Sequence, residues 1–230
     1  MRSEAVFCQS LKGFPETSSE LGESRKKTEQ RLCEWRGAFF YGGKNCQTLS
    51  LLDIEYEFLL GRKNKNISLS VEFQKMHFFH IAGLQHLRDL PRLSISAEEV
   101  YSQIESGQIS VEYIESSKNY GSIRNRIDLL PLLEQILDSN DTIFRYNPAL
   151  QAFSVIEADF LLKNKVKETP VFVFLSKNCS GKYFCRSFFP DCKKDYAERQ
   201  TKWTLLLKRK IIKSENKDIV LYRHKGISIK

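Results

Sequence analysis

Ile67, Leu69, Val71 and Phe73 alternate with Ser68, Ser70 and Glu72. That two-residue period belongs to a strand with one buried face. The polar turn Gly61 to Asn66 precedes it, and before the turn runs LSLLDIEYEFLLG, whose mixed period suits a strand or a short helix. Paired, the two segments make an opening β-hairpin. The pattern then turns helical. Lys75 to Leu87 carries apolar residues at helical spacing, and Ser96 with Glu99 three residues on marks a helix start at Ala97, ended at Gly107. Ile123, Ile127, Leu130, Leu133 and Leu137 recur at three- and four-residue steps, an amphipathic helix that Pro131 kinks or restarts. After Asp138 the period returns to two in DTIFRYN, QAFSVIEADFLL, TPVFVFLSKN, YFCRSFFP, TKWTLLLKRKII and DIVLYRH, with Asn, Pro and Gly between the runs. The pattern predicts an α+β fold: an opening β-hairpin, two to three helices, then an antiparallel sheet of about five or six strands.

Composition sets the boundaries. Ser, Glu and Lys dominate from Glu16 to Gln30. Residues 1–47 therefore read as a loosely ordered N-terminal extension, and 48–230 as the packed domain. No long apolar run suggests a membrane span. No basic-then-apolar leader opens the sequence. The expectation is a cytoplasmic protein whose six cysteines, none in a Cys-x-x-Cys pair, stay reduced. The net charge is +8, and it is unevenly spread: from Phe160 onward there are 18 Lys or Arg against 6 Asp or Glu, whereas the rest has 18 against 22. A basic C-terminal third suits a polyanion such as RNA or DNA.

Three of the four histidines, His77, His80 and His86, fall within Phe73 to Leu93. No carboxylate pattern completes a metal site around them, and no glycine-rich phosphate loop, G-x-S-x-G or H-E-x-x-H occurs, so neither metal nor cofactor is expected. Strict alternation puts Tyr183, Cys185 and Ser187 on one face of their strand and Phe184, Arg186 and Phe188 on the other. Arg186 and Ser187 then share a cleft only if a bulge intervenes. The same alternation puts Lys202, Thr204, Leu206, Lys208 and Lys210 on one wet face, opposite a core face of Trp203, Leu205 and Leu207.

His80-Ile81-Ala82-Gly83-Leu84, followed by Leu87, Asp89 and Leu90, resembles the His-Leu-x-Gly-Leu-His-x-Leu-x-Asp signature of the phage-associated Barnase–EndoU–colicin–RelE-like nucleases. The preceding hairpin and the later aromatic strands, with Arg186 to Phe189 and Gln200 before Trp203, fit the same family, over roughly Thr48 to Lys213. One position departs: where the family has a second histidine directly after Gly-Leu, this chain has Gln85, and His86 follows. The resemblance implies a metal-independent, toxin-like or phage-associated RNA endonuclease that cleaves by 2′-hydroxyl attack on the adjacent phosphate. It makes His80 and His86 the candidates for proton transfer and Arg186 and Lys202 those for charge stabilisation. Tyr183, Ser187, Thr204, Lys208 and Lys210 become candidate RNA contacts. Implied partners are an RNA, such as tRNA or mRNA, and a cognate inhibitor protein, with no membrane. The rival readings are a non-catalytic nucleic-acid-binding protein using the same basic sheet and a host-interaction protein whose histidines are only packing residues.

Overall fold

The structure is a computed structural model that describes residues 51–139, 142–151, 154–166, 168–191 and 193–226. The N-terminal extension expected over residues 1–47 lies outside the described residues.

The hairpin forms from β1 (Ile54–Arg62) and β2 (Lys65–Glu72), paired from Glu55–Glu72 to Arg62–Lys65. Helix α1 (Lys75–Ile81) follows, then α2 (Ala97–Glu105), whose Ser96 hydroxyl accepts the Glu99 N–H at 3.2 Å. The long apolar segment breaks into α3 (Val111–Glu115), α4 (Arg124–Leu129) and α5 (Leu133–Asp138), with a 3₁₀ turn at Pro131 between the last two. Six strands follow among the described residues: β3 (Thr142–Arg145), β4 (Phe160–Val166), β5 (Thr169–Lys177), β6 (Tyr183–Pro190), β7 (Thr201–Ile212) and β8 (Lys217–Arg223).

The expectation of an antiparallel sheet of five or six strands beside a separate hairpin is corrected here. All eight strands form one sheet, ordered β1-β2-β6-β5-β4-β3-β7-β8, and β1 also pairs with β7. That last pairing closes seven strands into a barrel and leaves β8 attached outside the ring. The physical reason is the length of β7. Its first residues, Thr201 to Trp203, pair with β3, while Thr204 to Ile212 pair with β1. The other edge of that second part, from Leu207, holds β8. The sheet is also not wholly antiparallel, because β2 and β6 meet in a parallel seam at Val71–Tyr183. Closure removes the edges that the seven ring strands would leave in an open sheet, and β8 remains an edge strand.

Register carries one set of side chains around the inside of the ring. Tyr56, Phe58, Leu69, Val71, Cys185, Phe188, Val173, Leu175, Phe160, Leu162 and Ile143 are all at most 2% exposed. Two inward lysines, Lys208 and Lys210, reach the chain at α5. The Lys208 ammonium donates to the Ser139 carbonyl and lies 5.2 Å from the Phe58 ring centre. Lys210 pairs with Glu134 at 2.6 Å and Asp138 at 2.8 Å. The Tyr56 hydroxyl donates to Asp138 at 2.7 Å, so α5 lies across that end of the barrel.

These two lysines overturn the expected face of β7. Opposite Leu59 and Leu60 of β1 stand Leu207 and Leu205, so Leu206 is an extra, unpaired residue. One extra residue reverses the alternation beyond it. Lys202 and Thr204 remain outside, while Lys208 and Lys210 turn into the barrel with Trp203 and Leu205. Gly61 makes room for the bulge: a Cβ there would come within 2.7 Å of Leu206 Cδ1.

Candidate active site

The site begins with the break after α1. Gln74 caps the helix: its carbonyl accepts the His77 N–H at 2.9 Å, and its own N–H donates to His77 Nδ1 at 3.2 Å. His77 is thereby a structural residue. It is 8% exposed and stacks on Phe184, ring centres 4.6 Å apart. The helix carries His80 in its last turn and stops at Gly83, whose φ of +80° favours glycine. Leu84, Leu87 and Leu90 then bury as anchors. Asp89 ties the segment to the chain after α3, accepting the Ser117 hydroxyl at 2.6 Å and the Lys118 N–H at 2.8 Å. Those bonds hold its carboxyl below the usual range. Much of the His-x-x-Gly-Leu motif therefore builds a turn, and that turn presents His80.

His80 opens onto a cleft of about 410 Å3 whose walls include His86, Gln85, Arg126, Glu157, Arg186, Ser187 and Tyr196. The short 3₁₀ turn Leu84–His86 lets both Gln85 and His86 reach it, with the Gln85 amide nitrogen 3.4 Å from His86 Nε2. The one-residue displacement from the family pattern therefore leaves an imidazole in the cleft.

Arg186 and Ser187 arrive together because β6 bulges. Phe174 faces Ser187 and Leu175 faces Cys185, so Arg186 is the extra residue. The bulge that alternation required is present, and both side chains line the cleft while Cys185 and Phe188 stay inside the barrel. Arg186 is exposed, and among the described residues no carboxylate forms an ion pair with it.

Arg126, on α4, escaped the sequence reading because it sits between the core positions Ile123 and Ile127. Its Nη1 donates to the His80 carbonyl at 3.2 Å, and its guanidinium lies 5.4 Å from the Phe189 ring centre. A Cβ at position 83 would meet this Nη1 at 2.9 Å, a second reason for glycine there. A cation at a helix C-terminus also meets the negative end of the helix dipole. Glu157 and Tyr196 were missed too, for they stand in loop segments whose spacing gives no sign of a cleft.

The electrostatics lean one way. Burial pulls the His80 pKa below its ordinary 6.5, and Arg186 and His86 pull it further. His86 is lowered by burial, then by Arg126 and Arg88. Both imidazoles are thus held toward their neutral forms.

Other expected contacts lie elsewhere. Tyr183 turns inward, 5.6 Å edge-on from Phe160, with its phenol pKa raised by burial and by Asp159. Lys208 and Lys210 are committed to Ser139, Glu134 and Asp138. Lys202 and Thr204 are exposed at the start of β7, and neither lines the cleft. The cation beside His80 is Arg186 rather than Lys202. Among the described residues, no three of His, Cys, Asp and Glu cluster as metal ligands do.

The profile of the phage-Barnase-EndoU-ColicinE5/D-RelE like nuclease4 family matches residues 47–225. The chain belongs to this nuclease family. The family match makes a nucleic acid the class of substrate. No curated protein and no solved structure matches the chain. No helix among the described residues is long and apolar enough to cross a membrane.

Proposed function

We propose that this nuclease cleaves RNA without a metal, by attack of the ribose 2′-hydroxyl on the adjacent phosphate. The observation that carries the reading is the placement of His80 beside the exposed Arg186 in one open cleft. RNA brings its own nucleophile, so the protein needs a base for the 2′-proton, an acid for the leaving 5′-oxygen and cations for the charge that builds on the phosphate. A histidine held neutral suits the first task. His80 is the base in this reading, and His86 is the acid. A docked phosphodiester supplies the negative charge that raises both imidazoles and lets one of them carry a proton. Arg186 faces the phosphate, and the Ser187 hydroxyl donates a hydrogen bond to it. Arg126 holds the end of α1 so that His80 keeps its place. The substrate is a cellular RNA such as tRNA or mRNA, met in the cytoplasm, and a cognate inhibitor protein would act by covering the same cleft.

The test is cleavage of total RNA in EDTA by the wild-type chain, His80→Ala and His86→Ala. Wild type should cut and leave 2′,3′-cyclic phosphate ends, and His80→Ala should lose about 10²- to 10⁴-fold in rate while keeping its fold. A requirement for added divalent metal, or full activity in His80→Ala, would sink the mechanism. RNA binding without cutting would favour the non-catalytic alternative.

A further inference from the structure

Away from the cleft, three chain segments that meet at the start of β7 carry cations and no carboxylate. They are 58–71, 201–207 and 219–226. Register brings them together. β1 and β8 flank β7 on its two edges, both antiparallel to it. Gly61 pairs with Thr204, so the hairpin tip runs on toward Lys202. Leu207 pairs with Arg223 and, on its other side, with Leu59. The chain continues past Arg223, where the His224 N–H donates to the Leu206 carbonyl at 2.8 Å, toward Lys225. Arg62, Lys63, Lys65, Lys202, Arg223 and Lys225 are all exposed. They span two strand spacings, about 10 Å across.

Two features mark this cluster. Some lysines and arginines of the protein are ion-paired, such as Lys75, Lys163, Lys182 and Arg209, and others are not. None of these six is paired with a carboxylate among the described residues. The hairpin tip also breaks a local rule. Lys63 has φ +45° and Asn64 φ +62°, both in the left-handed region that a tight two-residue turn demands and that glycine or asparagine fills at least cost. A lysine at the apex gives up backbone ease and adds a charge. Conflicts of that kind concentrate at functional positions.

We infer that this patch is a second nucleic-acid contact, an anchoring surface for the phosphate backbone of a strand whose scissile linkage lies in the cleft. Cations with no protein counter-charge attract polyanions and release the counterions that those carry. The inference rests on the nuclease reading for its purpose, but its evidence lies in other residues, and so does its test. The cleft alone recognises one linkage and its neighbours, whereas a distant anchor favours long substrates over short ones.

The test uses the full-length chain carrying His80→Ala, so that RNA survives, and a fluorescent 30-nucleotide single-stranded RNA. Arg62→Gln, Lys65→Gln and Arg223→Gln together should raise Kd about ten-fold or more at low salt, and should flatten the salt dependence of log Kd by about two. On the active background the loss in kcat/KM should be large for the long strand and absent for a trinucleotide. Lys63→Gly is the second variant: it should raise the melting temperature yet weaken RNA binding, a pairing that a purely structural lysine would not show. Unchanged Kd and unchanged salt slope in the triple variant would overturn the anchor. So would loss of pelleting with phosphatidylserine vesicles while RNA binding stays intact. If wild type fails to cut RNA but the patch variants still weaken binding, the cleft chemistry fails and the anchor stands.

Discussion

In β6 the unpaired extra residue is Arg186, and in β7 it is Leu206. Each interrupts the alternation that a strand sequence advertises, and the outcomes are opposite. At Arg186 the bulge brings together two neighbours that alternation would have sent to opposite faces, and both line the cleft. At Leu206 the bulge splits one apparent basic face, leaving Lys202 and Thr204 in solvent and sending Lys208 and Lys210 into the barrel. A lysine in a strand therefore carries no meaning until the register is known. Before the bulge it faces water. After it, the same side chain is a buried strut against α5.

The sharpest way to break this contrast is to exchange the measurements made on the two strands. Lys210→Ala removes the ammonium between Glu134 and Asp138 and leaves two carboxylates near each other with no cation. Stability should fall by about 3 kcal/mol in urea denaturation, with the rate of RNA cleavage by the folded fraction unchanged. Arg186→Ala should leave stability alone, because the side chain is exposed and unpaired, and should lower kcat by about 100-fold. If Lys210→Ala lost activity without losing stability, or Arg186→Ala did the reverse, the assignment of the two faces would be wrong.

What was legible beforehand follows from the range of each interaction. The hairpin, the Ser96 cap, the break at Pro131 and most of the later strands are local patterns that the residues announce, whereas the strand expected over QAFSVIEADFLL begins only at Phe160 and runs through Asn164 to Val166. Closure of the sheet is not local. Nothing in IEYEFLLG states that its second edge will pair with a strand some 150 residues later, and the extra Leu206 is visible only against that partner. The cleft divides in the same way. His80 and Gly83 stand in a motif, and the pairing of Arg186 with Ser187 needed a bulge that alternation could pose only as a condition. Arg126, Glu157 and Tyr196 come from three separate segments, and only the packed fold brings them to one cavity.

A smaller effect tests the turn that presents His80. Gly83→Ala places a Cβ against Arg126 Nη1 and Ile123 Cγ2, at 2.9 and 3.1 Å, in a backbone conformation that L side chains avoid. It should cost about 2 kcal/mol and lower cleavage as the Arg126 bond to the His80 carbonyl shifts. Gly83→Asn tolerates the left-handed backbone but carries the same Cβ. Recovery of stability with asparagine would place the cost in the backbone. Equal losses in both variants would place it in the contact with Arg126.

The smallest effect is a displacement along the pH axis, and its sign follows from the bulge in β6. His80 in the folded protein titrates below 6.5 because of burial, Arg186 and His86, in that order. A base must be unprotonated and the acid, His86, must carry a proton, so kcat/KM should be bell-shaped, with its acid limb falling through the lowered His80 value. Arg186→Gln removes one of the two neighbouring charges. The acid limb should then move upward, toward 6.5 but short of it, since burial and His86 remain. Stability obeys the same sign. His77, His80 and His86 are all lowered, so the unfolded chain takes up protons first as pH drops. Their contribution is complete above about 6.5 and is lost as pH falls through the folded values. Arg186→Gln should therefore soften acid unfolding slightly while shifting the rate profile. Lys210→Ala, on the other bulged strand, should move neither His80 limb. An acid limb that stays in place in Arg186→Gln would mean that Arg186 does not act on His80, and the two bulges would then differ in burial alone.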